Sequence, residues 1–160
     1  MTDANAGFDL QAAHRHFSAE CFNRAWDLID KQDRSSAENE EMVRLSFTSY
    51  WHWTKRDDCT PTKLSVSCWQ LSRVYAVLGQ ASAAKRYAQL SLRQASAPAT
   101  PPFYRAYAYE ALARAAALAG KWPDAERYLG EARKEGERIE KGQSKAALLR
   151  DLETILRPPG

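Results

Sequence analysis

Apolar residues recur along this chain at spacings of three and four, the period of an α-helix with one buried face. From Phe8 to about Lys31 they fall at Phe8, Ala12, Ala13, Phe17, Cys21, Phe22, Ala25, Trp26, Leu28 and Ile29. A second run, Met42, Val43, Leu45, Phe47, Tyr50 and Trp51, closes near Trp53. Ahead of it Ser35 and Glu38 stand three apart, the spacing of a capping box. TKRDDCTPT then reads as a loop, and Thr60-Pro61 as an N-cap followed by proline in the first turn. Thr100-Pro101 repeats that arrangement, and Pro123 opens another helix after Trp122. Gly79 and Gly120 mark helix ends, because glycine takes the left-handed conformation that a helix terminus needs. ASAPATPP (95–102) is the one small-residue, proline-rich linker, too short to separate domains. A last helix spans about Ser144 to Ile155, with Ala147, Leu148, Leu149, Leu152 and Ile155 on its apolar side. No stretch alternates cleanly for five residues, so no strand is expected. The prediction is an all-α domain of seven helices in antiparallel pairs.

Composition agrees with a single folded domain: 160 residues, 44% hydrophobic and 27% charged. Three cysteines (Cys21, Cys59, Cys68), an odd number without C-x-x-C spacing, argue against a disulfide framework or a zinc site. Cys21 and Cys68 read as small core residues, and Cys59 as an exposed loop thiol whose pKa Asp57 and Asp58 raise. No apolar run approaches about 18 residues, and MTDANAGFDL has neither a basic nor an apolar leader region. A cytoplasmic protein without a membrane span is therefore expected. The net charge of +3 conceals an uneven spread. Residues 1–60 hold seven Lys/Arg against eleven Asp/Glu, residues 61–120 seven against Glu110 alone, and residues 121–160 nine against eight. Such asymmetry either steers an anionic partner, favours head-to-tail self-association, or only balances opposite faces of one domain. Basic residues form no run, so a nucleic-acid surface is not expected.

The stretches 68–92 and 109–133 align without a gap at an offset of 41. Leu71 falls on Leu112, Arg73 on Arg114, Gly79 on Gly120, Ala84 on Ala125 and Tyr87 on Tyr128. A leucine in the first helix, glycine at the turn, alanine where two helices cross and then an aromatic: this pattern resembles the tetratricopeptide (TPR) repeat. A TPR unit is about 34 residues, and the 95–102 linker accounts for the difference. The phrases AHRHFSAECFNRAWDLIDK, WQLSRVYAVLG and AYEALARA together resemble a family of short bacterial TPR-like proteins. That resemblance implies a short right-handed solenoid of stacked hairpins. Residues 8–54 would form a divergent first hairpin, 62–96 and 102–140 the TPR-like repeats, and 144–156 a capping helix. It implies no particular activity and no cofactor.

In a TPR array the first helix of each pair lines a concave surface. The resemblance therefore puts Trp69, Arg73, Tyr107, Glu110 and Arg114 there, with His16, Asn23 and His52 contributed by the first pair. Arg73 and Arg114 can present their forks to a carboxylate or phosphate, with Trp69 as an apolar wall. Alternatively, Glu110 and Arg114 form an i,i+4 pair of little consequence. The Lys- and Asn-rich clamps by which some TPR proteins hold C-terminal carboxylates are not matched. His14-x-His16 cannot chelate one ion, since residues two apart on a helix diverge by about 200°. His16, Glu20 and His52 remain as an acid/base or small-ligand constellation, should the first two helices pair so that His52 returns beside His14 or His16. Trp51, His52 and Trp53 cannot all face inward, so at least one is exposed, as a binding anchor or a dimer contact. G-x-S-x-G and phosphate-loop motifs are absent. Three functions are thus expected in order: a protein- or peptide-binding module, a small-ligand or enzymatic pocket, and a self-associating scaffold forming a homodimer through exposed aromatics.

Overall fold

Seven helices and no strand occur among residues 7–159, which the computed structural model describes. They are α1 (Leu10–Asp30), α2 (Ser36–Thr54), α3 (Pro61–Val77), α4 (Ala81–Ala95), α5 (Pro102–Leu118), α6 (Trp122–Glu137) and α7 (Gln143–Glu153). The expectations placed on residues 1–6 lie outside that range. Local chemistry sets the boundaries. Ser35 Oγ accepts from the Glu38 amide at 3.2 Å while Glu38 accepts from the Ser35 amide at 2.8 Å, so the capping box is formed in both directions. Thr60 caps α3 through the Lys63 amide at 3.3 Å.

Two starts fall later than the pattern suggested. Asp9 accepts from the Ala12 amide at 2.9 Å and so begins α1 after itself. Phe8, counted with the apolar face, is left outside the helix and 79% exposed. Pro102, not Pro101, opens α5, because a residue preceding proline is pushed into extended backbone, and Pro101 has ψ 147°. Thr100 therefore does not cap that helix.

Gly79 and Gly120 sit at the two hairpin corners with φ +74° and +70°. The corners are alike in their bonding. Gln80 N–H reaches Tyr75 O at 2.9 Å, and Lys121 N–H reaches Ala116 O at 2.9 Å, each closing the turn five residues back. The 41-residue correspondence thus extends to individual backbone hydrogen bonds.

α1/α2, α3/α4 and α5/α6 are antiparallel hairpins stacked in chain order, and the first helices α1, α3 and α5 follow one another along one side. Close approach within the pairs depends on small residues. Ala84 and Ala125, equivalent by the offset, are both fully buried. Serines serve the same purpose with their hydroxyls turned to backbone: Ser49 Oγ donates to Ser18 O at 2.7 Å and Ser72 Oγ to Ala84 O at 2.8 Å. The aromatic positions fill gaps between pairs, as where the Tyr87 ring lies 5.8 Å from Phe47. α5 is buried on most sides, between α3, α4, α6 and α7.

α7 closes the last hairpin with Leu148 and Leu152, and Ile155 stays buried just past its end. Leu149, expected on the same side, is 41% exposed, because an eleven-residue helix lying against α5 and α6 buries only one narrow stripe. Cys21 and Cys68 are core residues, and Cys59 is half-buried. Burial raises all three thiols, with Asp58 adding to the effect at Cys59. Among the described residues, no helix is long and apolar enough to cross a membrane.

Candidate functional site

Glu110 is the only acid in the middle sixty residues, and α5 carries it to a completely buried position. Three side chains converge on its carboxylate. Trp69 Nε1 donates to one oxygen at 3.1 Å. Arg73 Nη2 at 3.0 Å and Arg114 Nε at 2.8 Å donate to the other. Arg114 continues to Thr154 Oγ1 at 2.8 Å and to the Asp151 carbonyl at 3.2 Å. Asp151 in turn accepts from Tyr107 OH at 2.8 Å, and burial together with that carboxylate holds the Tyr107 hydroxyl well above the usual tyrosine range. The network lashes α3 to α5 and α5 to α7. The forks of Arg73 and Arg114, expected to be open to a ligand, are engaged by Glu110. The i,i+4 pair with Arg114 is present, yet it is one arm of a buried three-donor site rather than a surface contact.

Beside this network runs a row of rings drawn from the three first helices. Trp26 of α1 lies 5.1 Å from Trp69 of α3, which lies 5.2 Å from Tyr107 of α5, and Phe103 follows at 4.9 Å. Trp26 stands 43 residues before Trp69, two off the 41-residue offset, so the repeat does not align the two rings. Two grooves open along the row. One, of about 200 Å³, lies between α1 and α3 and is lined by Ala19, Phe22, Asn23, Trp53, Lys63 and Val66. The other, of about 160 Å³, lies between α3 and α5 and is lined by Val66, Trp69, Phe103, Tyr104 and Tyr107 with two serines. Val66 belongs to both, so the grooves are neighbours. A third cleft, about 370 Å³ and open, lies at the far ends of α3 and α5, where Arg73, Val77, Arg114, Leu118 and Trp122 face Leu156 of the C-terminal stretch.

The structure brings together Trp69, Arg73, Tyr107, Glu110 and Arg114, and sets Asn23 in the first groove. It does not gather His16, Glu20 and His52. His16 and Glu20 are exposed on α1, and no hydrogen bond or ring contact among the described residues joins either to His52. His52 meets His14 instead, Nδ1 to Nδ1 at 2.8 Å, and lines neither inner groove. His14 is on the buried stripe of α1 with Ser18, Cys21, Ala25 and Ile29. That register, stepping by four, three, four and four, is the signal in the sequence that favours His14 over His16.

A hydrogen bond between two Nδ1 atoms needs one donor and one acceptor, so the pair is stable only while it lacks a second proton. Burial first, and His14 second, hold the His52 pKa below its ordinary value of 6.5. The surroundings add no acid of their own to favour the charged form. The rings of Phe17 and Trp51 cover the pair, and the flanking Arg15 and Arg56 are matched by Asp57 and Asp58. An unfolded histidine takes up its proton at higher pH than this one. The stabilisation is therefore complete above about pH 6.5 and is lost as the pH falls through the lowered folded value. Urea midpoints of the wild type should drop as the pH falls below about 6.5, and His52→Gln should flatten that dependence. An unchanged slope in the variant would remove the pair as its cause.

Among the described residues, no group of three or more His, Cys, Asp and Glu side chains is placed to hold a metal ion. What the inner surface offers chemically is apolar and aromatic contact, one exposed ammonium at Lys63, and Asn23 as a two-way hydrogen-bonding group. Comparison with protein-family models, curated proteins and solved structures gave no match.

Proposed function

We propose that this chain is a TPR-like binding module whose inner helices hold an apolar segment of another protein. The observation carrying this reading is the pair of adjoining grooves that meet at Val66, floored by rings from α1, α3 and α5. Two shallow apolar recesses side by side suit successive side chains of one bound peptide, which needs no chemistry from its receptor. The Glu110 network supports the reading from beneath. By fixing α3, α5 and α7 relative to one another it keeps the recesses pre-formed, so little ordering free energy is lost on binding. Arg73 and Arg114 serve as frame in this account, and Trp69 and Tyr107 serve as both frame and wall.

Peptide display tests it. Random twelve-residue peptides selected on the immobilised wild type should converge on a motif with two apolar anchors. The selected peptides should lose binding by at least tenfold on Val66→Arg, which puts a charge on the ridge between the recesses. Failure to enrich any motif, or equal binding by the variant, would overturn the proposal. An enzymatic or small-ligand role for His16, Glu20 and His52 has no assembled constellation to support it.

A further inference from the structure

The two ends of the helical stack are finished differently. At the C-terminal end α7 covers the last hairpin. At the N-terminal end the outer face of α1/α2, turned away from α3, carries Phe17 at 45%, Trp51 at 53% and Leu10 at 56% exposure. Solenoids ordinarily close such an end with polar residues. One stripe of α1 carries Leu10, Ala13, Phe17, Glu20 and Arg24, and one stripe of α2 carries Glu41, Arg44, Thr48 and Trp51, all exposed except the half-buried Ala13 and Glu41. Both series step by three and four, the spacing of a seam between packed helices.

The contacts inside the hairpin fix which residues stand level. His14 meets His52, Ser18 meets Ser49, and Arg24 meets Glu41. By interpolation Phe17 stands near the level of Trp51, and Glu20 between the levels of Thr48 and Arg44. A two-fold axis parallel to the helices would lay α1 of one copy antiparallel on α2 of the other at unchanged level. Phe17 would then face the second copy's Trp51, Glu20 its Arg44, and Arg24 its Glu41, each pairing occurring twice. Glu20 and Arg24 each meet an opposite charge, and the large rings meet rings. This self-complementarity is what an isologous interface requires.

We infer that the outer face of the α1/α2 hairpin docks a second copy of this chain, forming a two-fold dimer. The surface lies on the side of α1 and α2 opposite α3, so it is independent of the inner grooves.

Sedimentation equilibrium over a hundredfold concentration range tests the pairing. The wild type should move from one to two chain masses with rising concentration. Trp51→Glu, at a position 53% exposed, should shift the midpoint at least tenfold upward with an unchanged circular dichroism spectrum. Glu20→Arg and Arg44→Glu, which form no ion pair with each other within one chain, should each weaken association. Combined in one chain, they should restore it. A wild type that stays single at every concentration would overturn the inference. So would a dimer indifferent to Trp51→Glu, or a charge-exchanged chain no better than its single variants.

Discussion

Glu110→Ala should cost about 3 kcal/mol of stability, the lower end of the range for breaking a buried ion pair. The lower end applies because the guanidinium side chains of Arg73 and Arg114 keep 16% and 20% exposure, and water relieves some of their loss. Two cations would be left facing each other across the vacated site, and Trp69 Nε1–H would lose its acceptor. The melting temperature should fall by roughly 10 °C for a chain of this length. Arg73→Met should cost less than Arg114→Met, since Arg114 also holds Thr154 and the Asp151 carbonyl and so secures α7. Glu110→Gln keeps an acceptor for the indole and should fall between wild type and Glu110→Ala. Calorimetric scans of the four variants check the order. Glu110→Ala within about 0.5 kcal/mol of wild type, the range of an ordinary surface change, would show that the network is not holding the helices.

Leu71→Ala and Leu112→Ala should each cost about 3 kcal/mol, within the usual range for truncating a buried leucine. The two residues are equivalent by the 41-residue offset, fully buried or nearly so at 0% and 2% exposure, and sit on corresponding turns of α3 and α5. Matching costs are the signature of one packing arrangement used twice. Urea midpoints, at an unchanged dependence on denaturant, supply the comparison. A large loss at Leu112 with almost none at Leu71 would mean that the two hairpins share a sequence pattern without sharing a packing role.

What the sequence made legible was whatever short-range chemistry decides. Ser35 with Glu38, Thr60 with Pro61, and glycine at 79 and 120 act within a few residues of themselves, so helix ends and corners follow from reading along the chain. The 41-residue offset exposed the equivalence of α3/α4 with α5/α6 because no residue is inserted within either matched stretch. Which stripe of a helix faces inward is a different matter. α1 has apolar residues on two sides, Phe22 and Trp26 toward α3 and Phe17 away from it, and periodicity alone does not rank them. Its buried stripe contains His14 and Ser18, which read as surface residues by type. Trp51 stands four residues after Phe47 on α2 and so reads as part of its apolar run, yet it is 53% exposed. Glu110 was singled out for being alone. Its three donors come from 41 and 37 residues upstream and from the next turn, and only the stacking of α3 on α5 brings the first two within reach. The grooves at Val66 were not legible at all, being spaces between helices rather than residues in one.

The chain has five tryptophans, and each reports on a different place. Trp26, Trp53 and Trp69 border the inner row and its grooves, Trp51 lies on the outer face, and Trp122 stands in the cleft near the C-terminal stretch. Their indole N–H signals, followed by ¹H–¹⁵N correlation spectroscopy during titration with a display-selected peptide, locate the bound segment directly. Shifts are expected at Trp26, Trp53 and Trp69, with Trp51 and Trp122 unmoved. Movement of Trp51 or Trp122 while those three stay in place would contradict binding at the inner grooves.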